Sequence, residues 1–252
     1  MRTSKNMSSA SWRAVVIGLV LIPANCYWIT HIELVQYSAQ PTIVSLIFTV
    51  VFSLFCLSIL NLILKRYWPQ LALSQAELLL IYSMLSVTSA IAGHSFMEIL
   101  VPILGHAFWF STPENDWRGL FWRYIPEWLS VRDKRVLAGY YEGNSSLYTK
   151  QHLLGWITPV LSWFAFILVL LLVMLSINVI FRRRWTEEEK LTYPIIELPY
   201  QLTSENFFNS QLLWLAFGIA AALDIVNGLH VWSPSIPGLF EKVYRFRFSL
   251  KP

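Results

Sequence analysis

The sequence predicts an all-α, polytopic transmembrane protein of about five spans, with room for re-entrant segments and one helix lying in the membrane interface. Three observations predict it. Of the 252 residues, 56% are hydrophobic and only 13% are charged, where an ordinary globular domain carries about 25% charged residues. Several uncharged apolar runs reach or approach the ~20 residues a helix needs to cross a hydrocarbon core of about 30 Å. The basic residues cluster beside those runs, so the net charge of +4 reads as an orientation signal rather than a nucleic-acid surface.

The first span is expected over about Ala14 to Ile29, interrupted by Pro23 and Asn25. Its apolar run continues past Pro23 into aromatic residues without a small-x-small cleavage site, so it reads as a retained span and not a secretory leader. The proline has no backbone donor and clashes with the carbonyl one turn back, which predicts a kink. A loop without Lys or Arg, THIELVQYSAQP, follows. The second span, Thr42 to Leu64, is uncharged throughout and ends at Lys65 and Arg66. The third begins at Ser74, because Ser74 and Glu77 have the spacing of a capping box ahead of an apolar run. It continues to about Gly93, and His94 to Phe110 is read as the second half of a broken helix.

Residues 111–152 form one long polar connection rich in Trp and Tyr. Within it Trp117, Leu120, Phe121, Tyr124 and Trp128 recur at helical spacing beside Arg118 and Arg123, the pattern of an amphipathic helix in the headgroup region, which Pro126 is expected to divide. The fourth span, about Leu153 to Phe181, runs into Arg182, Arg183 and Arg184. The fifth is about Leu212 to Val231 and contains Asp224 and Asn227. The organisation is therefore 1–110, three spans with a broken helix; 111–152, the aromatic connection; and 153–252, two spans with a Pro-punctuated loop and a basic tail.

If every span crosses once, Arg2, Lys5, Arg13, Lys65, Arg66 and the Arg182 triplet share one side, the cytoplasmic one. The N-terminus is then cytoplasmic and the aromatic connection faces outward. The tail with Lys242, Arg245, Arg247 and Lys251 also lands outside, against the rule, which points to truncation or to a segment that does not cross. Cys26 and Cys56 lie in apolar runs, so neither a disulfide nor a metal motif is expected.

Ionisable groups inside spans are costly and default to functional candidates. His94 and Glu98 are four apart and share a helix face. Pro102, four further on, frees the Glu98 carbonyl, so an imidazole, a carboxylate and a carbonyl oxygen could gather for a proton or cation. The alternative is that the two side chains pair at the end of span three and meet water. Asp224 is the third coupling candidate, against a buried structural hydrogen bond to Asn227 or another helix. His106 reads as interfacial and Glu77 as a cap. No H-E-x-x-H, G-x-S-x-G, P-loop or C-x-x-C motif occurs, so neither enzyme, cofactor nor metal is expected.

Between spans four and five, Thr186 and Glu189 again have capping-box spacing, and Pro194 and Pro199 prevent an uninterrupted helix. This piece is either re-entrant or a surface loop with apolar anchors. Its KLTYP stretch, Lys190 to Pro194, resembles a segment carried by the oligopeptide transporter superfamily. RAVVIGLVLIPANCYW and LSQAELLLIYSMLSVTSAIAGH resemble bacterial relatives of that group. The proline is followed here by Ile195 and Ile196, where the carriers commonly have small residues. The resemblance implies a bacterial inner-membrane carrier that moves peptides or related solutes together with protons, with this chain as an N-terminal part. It adds Asn25, Tyr193, Pro194 and Glu197 as substrate-path candidates.

The expected function is thus a proton-coupled secondary transporter or part of one. The alternative is a membrane scaffold that recruits partners through its Trp-rich connection, and a membrane metalloenzyme using His94 and Glu98 is a weaker third. The expected partners are the lipid bilayer, a small solute and protons, with self-association as an option and no nucleic acid.

Overall fold

A computed structural model describes residues 11–189, 193–204, 206–233 and 235–238. The described residues contain no strand, and five helical segments are long and apolar enough to cross a membrane: Trp12–Val35, Phe48–Tyr67, Gln75–Trp109, Lys150–Glu188 and Gln211–Trp232. The chain is an all-α integral membrane protein. It forms two compact units, Met1–Pro199 and Tyr200–Pro252. The basic tail and Arg2 and Lys5 lie outside the described residues.

Helix α1 (Trp12–Thr30) runs unbroken through Pro23 and continues as a wider π-helical turn over His31–Val35. Helix α2 (Phe48–Tyr67) returns, and α3 (Gln75–Ala92) runs alongside α1. Their pairing is parallel. Glu77 at the start of α3 accepts from Ser11 Oγ and from Arg13 at 3.4 Å at the start of α1, while Asn25 further along donates to Ser89 at 2.6 Å. The buried positions of α1, namely Ala14, Gly18, Asn25 and Ile29, face Leu78, Ile81, Leu85 and Ser89 of α3 in helical register. A Cβ on Gly18 would crowd Met84, the close approach through small residues on which helix packing in lipid relies.

The capping box at α3 forms as expected. Ser74 Oγ accepts from Glu77 N at 3.3 Å, and Ser74 N donates to Glu77 Oε2 at 2.7 Å. Asn61 near the end of α2 adds a two-way clamp on the connecting loop, donating to Leu73 O at 2.9 Å and accepting from Leu73 N at 2.7 Å.

Two span boundaries differ from expectation. Span one extends to Val35, and the helix of span two starts at Phe48 instead of Thr42. Apolar composition alone cannot place these ends, because Thr42 is held out of the helix by a carboxylate nine residues before it. The broken third span is as expected: α4 (Met97–Trp109) follows α3 after a non-helical step at residues 93–96.

The 111–149 connection is not one amphipathic helix. It breaks into α5 (Trp117–Leu120), 3-10 turns at Trp122–Tyr124 and Glu127–Leu129, and α6 (Lys134–Tyr141). Leu120, Tyr124 and Trp128 of the expected stripe stay exposed, and other aromatic side chains tie the connection to the spans. Trp122 Nε1 donates to Ala107 O at 3.0 Å and Tyr141 OH to Pro102 O at 2.7 Å, both on α4. Trp163 Nε1 donates to Leu129 O at 3.2 Å. Burial pushes the Tyr141 phenol up from its ordinary pKa, so it stays a donor across the physiological range. Phe108, Val131, Val136 and Leu137 form the core beneath.

Helix α7 (Lys150–Arg183) has 34 residues, a rise of about 50 Å that exceeds the hydrocarbon core and requires tilt or projection beyond it. A π-helical turn, Arg184–Glu188, extends it. Thr186 therefore does not cap a new helix: its Oγ1 donates to Arg182 O at 2.7 Å inside that turn. Helix α8 (Pro194–Leu202) contains Pro199, and α9 (Gln211–Trp232) is the fifth span. Cys26 and Cys56 are both free thiols.

Gly105 sits where α6 crosses α4, and a methyl group there would overlap Leu137 Cδ2. Gly105→Ala should cost about 1–3 kcal/mol through overpacking. Gly218→Ala, on a part of α9 where a Cβ meets nothing, should be neutral or slightly stabilising. Thermal unfolding of both variants in detergent tests the contrast.

Candidate functional site

The π-helical turn that ends α1 rotates Glu33 inward, leaving it 2% exposed. The chain then reverses through Tyr37 in the left-handed region (φ 48°) and a 3-10 turn at Pro41–Ile43. This brings Thr42 onto the carboxylate: its N–H and Oγ1 both donate to Glu33 Oε1, at 3.0 and 2.7 Å. The backbone N–H of His94 donates to the other oxygen at 2.8 Å. Three donors converge on one buried carboxyl, so both of its oxygens are held in place.

Gly93 explains why α3 stops there. A Cβ at Gly93 would overlap the Thr42 side chain, so glycine allows the 41–43 turn to press against the end of α3. The N–H of His94, freed from the helix, is what Glu33 captures. The break between α3 and α4 and the burial of Glu33 are one structural event.

Glu98, in the first turn of α4, has a side chain 3% exposed. Neither of its carboxyl oxygens accepts a hydrogen bond. Its charged neighbours are His94, whose Nδ1 lies 3.5 Å from Oε2, and the Glu33 carboxyl. The His94 ring is 40% exposed and bridges this pair toward solvent. Among the described residues no Lys or Arg forms an ion pair with either carboxyl. Two carboxyls sharing a buried site cannot both ionise cheaply. A polar cavity of about 280 Å³, lined by Glu33, Tyr37, Ser38, Ala39 and Gln40, opens at Glu33. Glu33 is 21 residues beyond Trp12, about 31 Å of helix rise, so the cluster lies at the opposite end of the α1–α3 pair from the Ser74–Glu77 cap.

His94 and Glu98 are brought together, but not on one helix face: His94 lies in the non-helical step at residues 93–96, and only Glu98 is in α4, which begins at Met97. Glu33 is the member that sequence reasoning missed. Its one signal was a lone acidic residue in an otherwise uncharged connection. Asn25 is buried between α1 and α3, where its amide donates to Ser89 and its Oδ1 has no partner; it ties the two helices. Tyr193 precedes α8, Pro194 opens it and Glu197 lies within it, all three exposed. Lys190, Leu191 and Thr192 of the KLTYP stretch lie outside the described residues. Asp224 is exposed midway along α9 in the second unit, with no hydrogen bond or ion pair among the described residues. His106 stacks within an aromatic group, 4.6 Å from Phe110 and 5.9 Å from Trp117. Among the described residues no three His, Cys, Asp or Glu side chains converge as metal ligands.

The profile of DUF6785, a family of unknown function, matches residues 4–250. Neither the curated proteins nor the solved structures yield a match.

The two carboxyls should respond oppositely to substitution. Glu33→Ala removes the acceptor for Thr42 N–H, Thr42 O–H and His94 N–H, at about 1–3 kcal/mol for each donor that stays buried. Glu98→Gln removes a buried carboxyl that has no donor and should leave stability unchanged or higher. Melting temperatures in detergent decide this; a loss of equal size in both variants would contradict the assignment of donors.

Proposed function

The chain belongs to the DUF6785 family, and we propose that it is a proton-coupled secondary transporter of peptides or related small solutes, or the N-terminal part of a larger carrier. The observation that carries this reading is Glu98: a buried carboxyl inside a span, without a hydrogen-bond donor, beside a second carboxyl and a half-exposed imidazole. A structural carboxyl would be supplied with donors, as Glu33 is. One left without them in a low-dielectric site is suited to gain and lose a proton.

In this reading Glu33 is the fixed member, held by Thr42 and His94, and Glu98 carries the exchangeable proton. The proton arrives through the polar cavity at Glu33, and His94 relays it. Protonating Glu98 removes the repulsion between the two carboxyls and lets α4 settle against the end of α1; losing the proton drives them apart. The non-helical step at residues 93–96 is where α4 can move. Asn25, with an unpartnered Oδ1 in the α1–α3 contact, and Tyr193, Pro194 and Glu197 are the substrate-path candidates, and Asp224 is the further coupling candidate. The peptide class rests on the resemblance of the KLTYP stretch to oligopeptide carriers. The resemblance to bacterial relatives suggests the bacterial cytoplasmic membrane, and the basic residues flanking the spans put the N-terminus inside. No enzymatic activity is assigned.

A second reading, a membrane scaffold, is favoured by one observation: the folded connection exposes Tyr124, Trp128, Leu147 and Tyr148. It calls for a partner whose co-purification is lost on Trp128→Ala and Tyr148→Ala. A deletion of the aromatic segment would be uninformative because it would remove Trp122, which packs on the core.

The transport test uses proteoliposomes with a trapped pH indicator and an imposed inward-negative potential. Adding a di- and tripeptide mixture should acidify the lumen with the native chain and not with Glu98→Gln at equal reconstitution. Acidification unchanged in the variant would remove Glu98 from the coupling step, and none with the native chain would overturn peptide–proton transport.

A further inference from the structure

A second cavity, of about 390 Å³, lies away from the carboxyl pair, where α4, α6 and the start of α7 meet. That volume is in the range of pockets that hold small ligands. Its walls are apolar: Val101 and Leu104 from α4, Val136 and Tyr140 from α6, and Trp156 and Val160 from α7. Polar groups are confined to the loop side, where Ser145, Ser146 and His152 complete the lining. His152 is oriented there by its own contacts, with Nδ1 2.8 Å from Ser146 O and 3.3 Å from Ser145 Oγ. Gly139 keeps this end open, since a Cβ there would crowd the His152 ring and Ser145 Oγ.

Two features identify the occupant. The α7 wall is continuous with a surface made for lipid: Val160, in the wall, is 51% exposed, and beside it Ile157, Leu161 and Phe164 are exposed apolar side chains on a membrane span. The opposite wall, α6, belongs to the connection between spans, which has its own packed core. A ligand that enters from the membrane beside Val160 and ends at Ser145 and His152 must be apolar along its length and accept hydrogen bonds at one end. We propose that this cavity is a lipid site that takes one acyl chain of a membrane phospholipid, with the chain's ester carbonyl facing the Ser145 hydroxyl. The site rests on the cavity alone and is independent of proton coupling.

The test uses the full chain in nanodiscs containing a phosphatidylcholine with a photoactivatable diazirine in one acyl chain, with cross-linked residues mapped by mass spectrometry. Lipid on the outer surface of α7 will label Leu161 and Phe164 in any case. Occupation of the cavity adds labels on Val136 and Tyr140 of α6, and Val160→Trp, which obstructs the entry with a residue already half-exposed, should reduce those labels severalfold while the α7 labels persist. Labels confined to α7 in the native chain would overturn the proposal, as would α6 labels that Val160→Trp leaves unchanged. Melting temperature of the variant, expected to match the native chain, separates a blocked entry from a disturbed fold.

Discussion

A carboxylate taken out of water must be given donors, and meeting that demand at Glu33 organises the first half of the molecule. The donors come from distant places in the chain: Thr42 from the loop after α1, and the His94 backbone from the end of α3. Supplying them requires a widened turn at the end of α1, a late start for α2, a glycine at position 93 and an interrupted third span. Each would be a local irregularity on its own. Together they are the consequences of burying one charge where hydrocarbon offers no alternative partner.

Glu98 shows the opposite condition a few ångströms away. Its carboxyl side chain is also buried, yet no backbone or hydroxyl donor holds it, and its neighbours are a second carboxyl and an imidazole 3.5 Å away. The contrast separates a carboxyl that holds structure from one left available for chemistry. Polar satisfaction, more than depth, distinguishes them.

Helix α4 links this pair to the folded connection. Glu98 lies in its first turn, Val101 and Leu104 line the apolar cavity, and Gly105 and the Pro102 carbonyl receive α6 through Leu137 and Tyr141. Proline serves twice in this short helix: it removes one donor from the ladder, and its own carbonyl accepts from a phenol outside the span. A displacement of α4 would therefore be felt at both its carboxyl end and its cavity end.

Much of the architecture was legible in the sequence because crossing a bilayer is a local demand. Runs of uncharged residues of sufficient length, basic clusters at their ends and the Ser74–Glu77 spacing specify five helices and one helix start without reference to the rest of the chain. The nearness of His94 to Glu98 was legible from their short separation, but the helix face expected to carry both is replaced by the step at residues 93–96. Tertiary structure alone decided the role of Glu33, whose partner His94 is 61 residues away, the exclusion of Thr42 from α2, and the break-up of the 117–128 stripe into short turns. Periodicity reports which faces are apolar but not what covers them. The burial of a charge, and the donors that make it tolerable, depend on which distant segments the fold brings into contact.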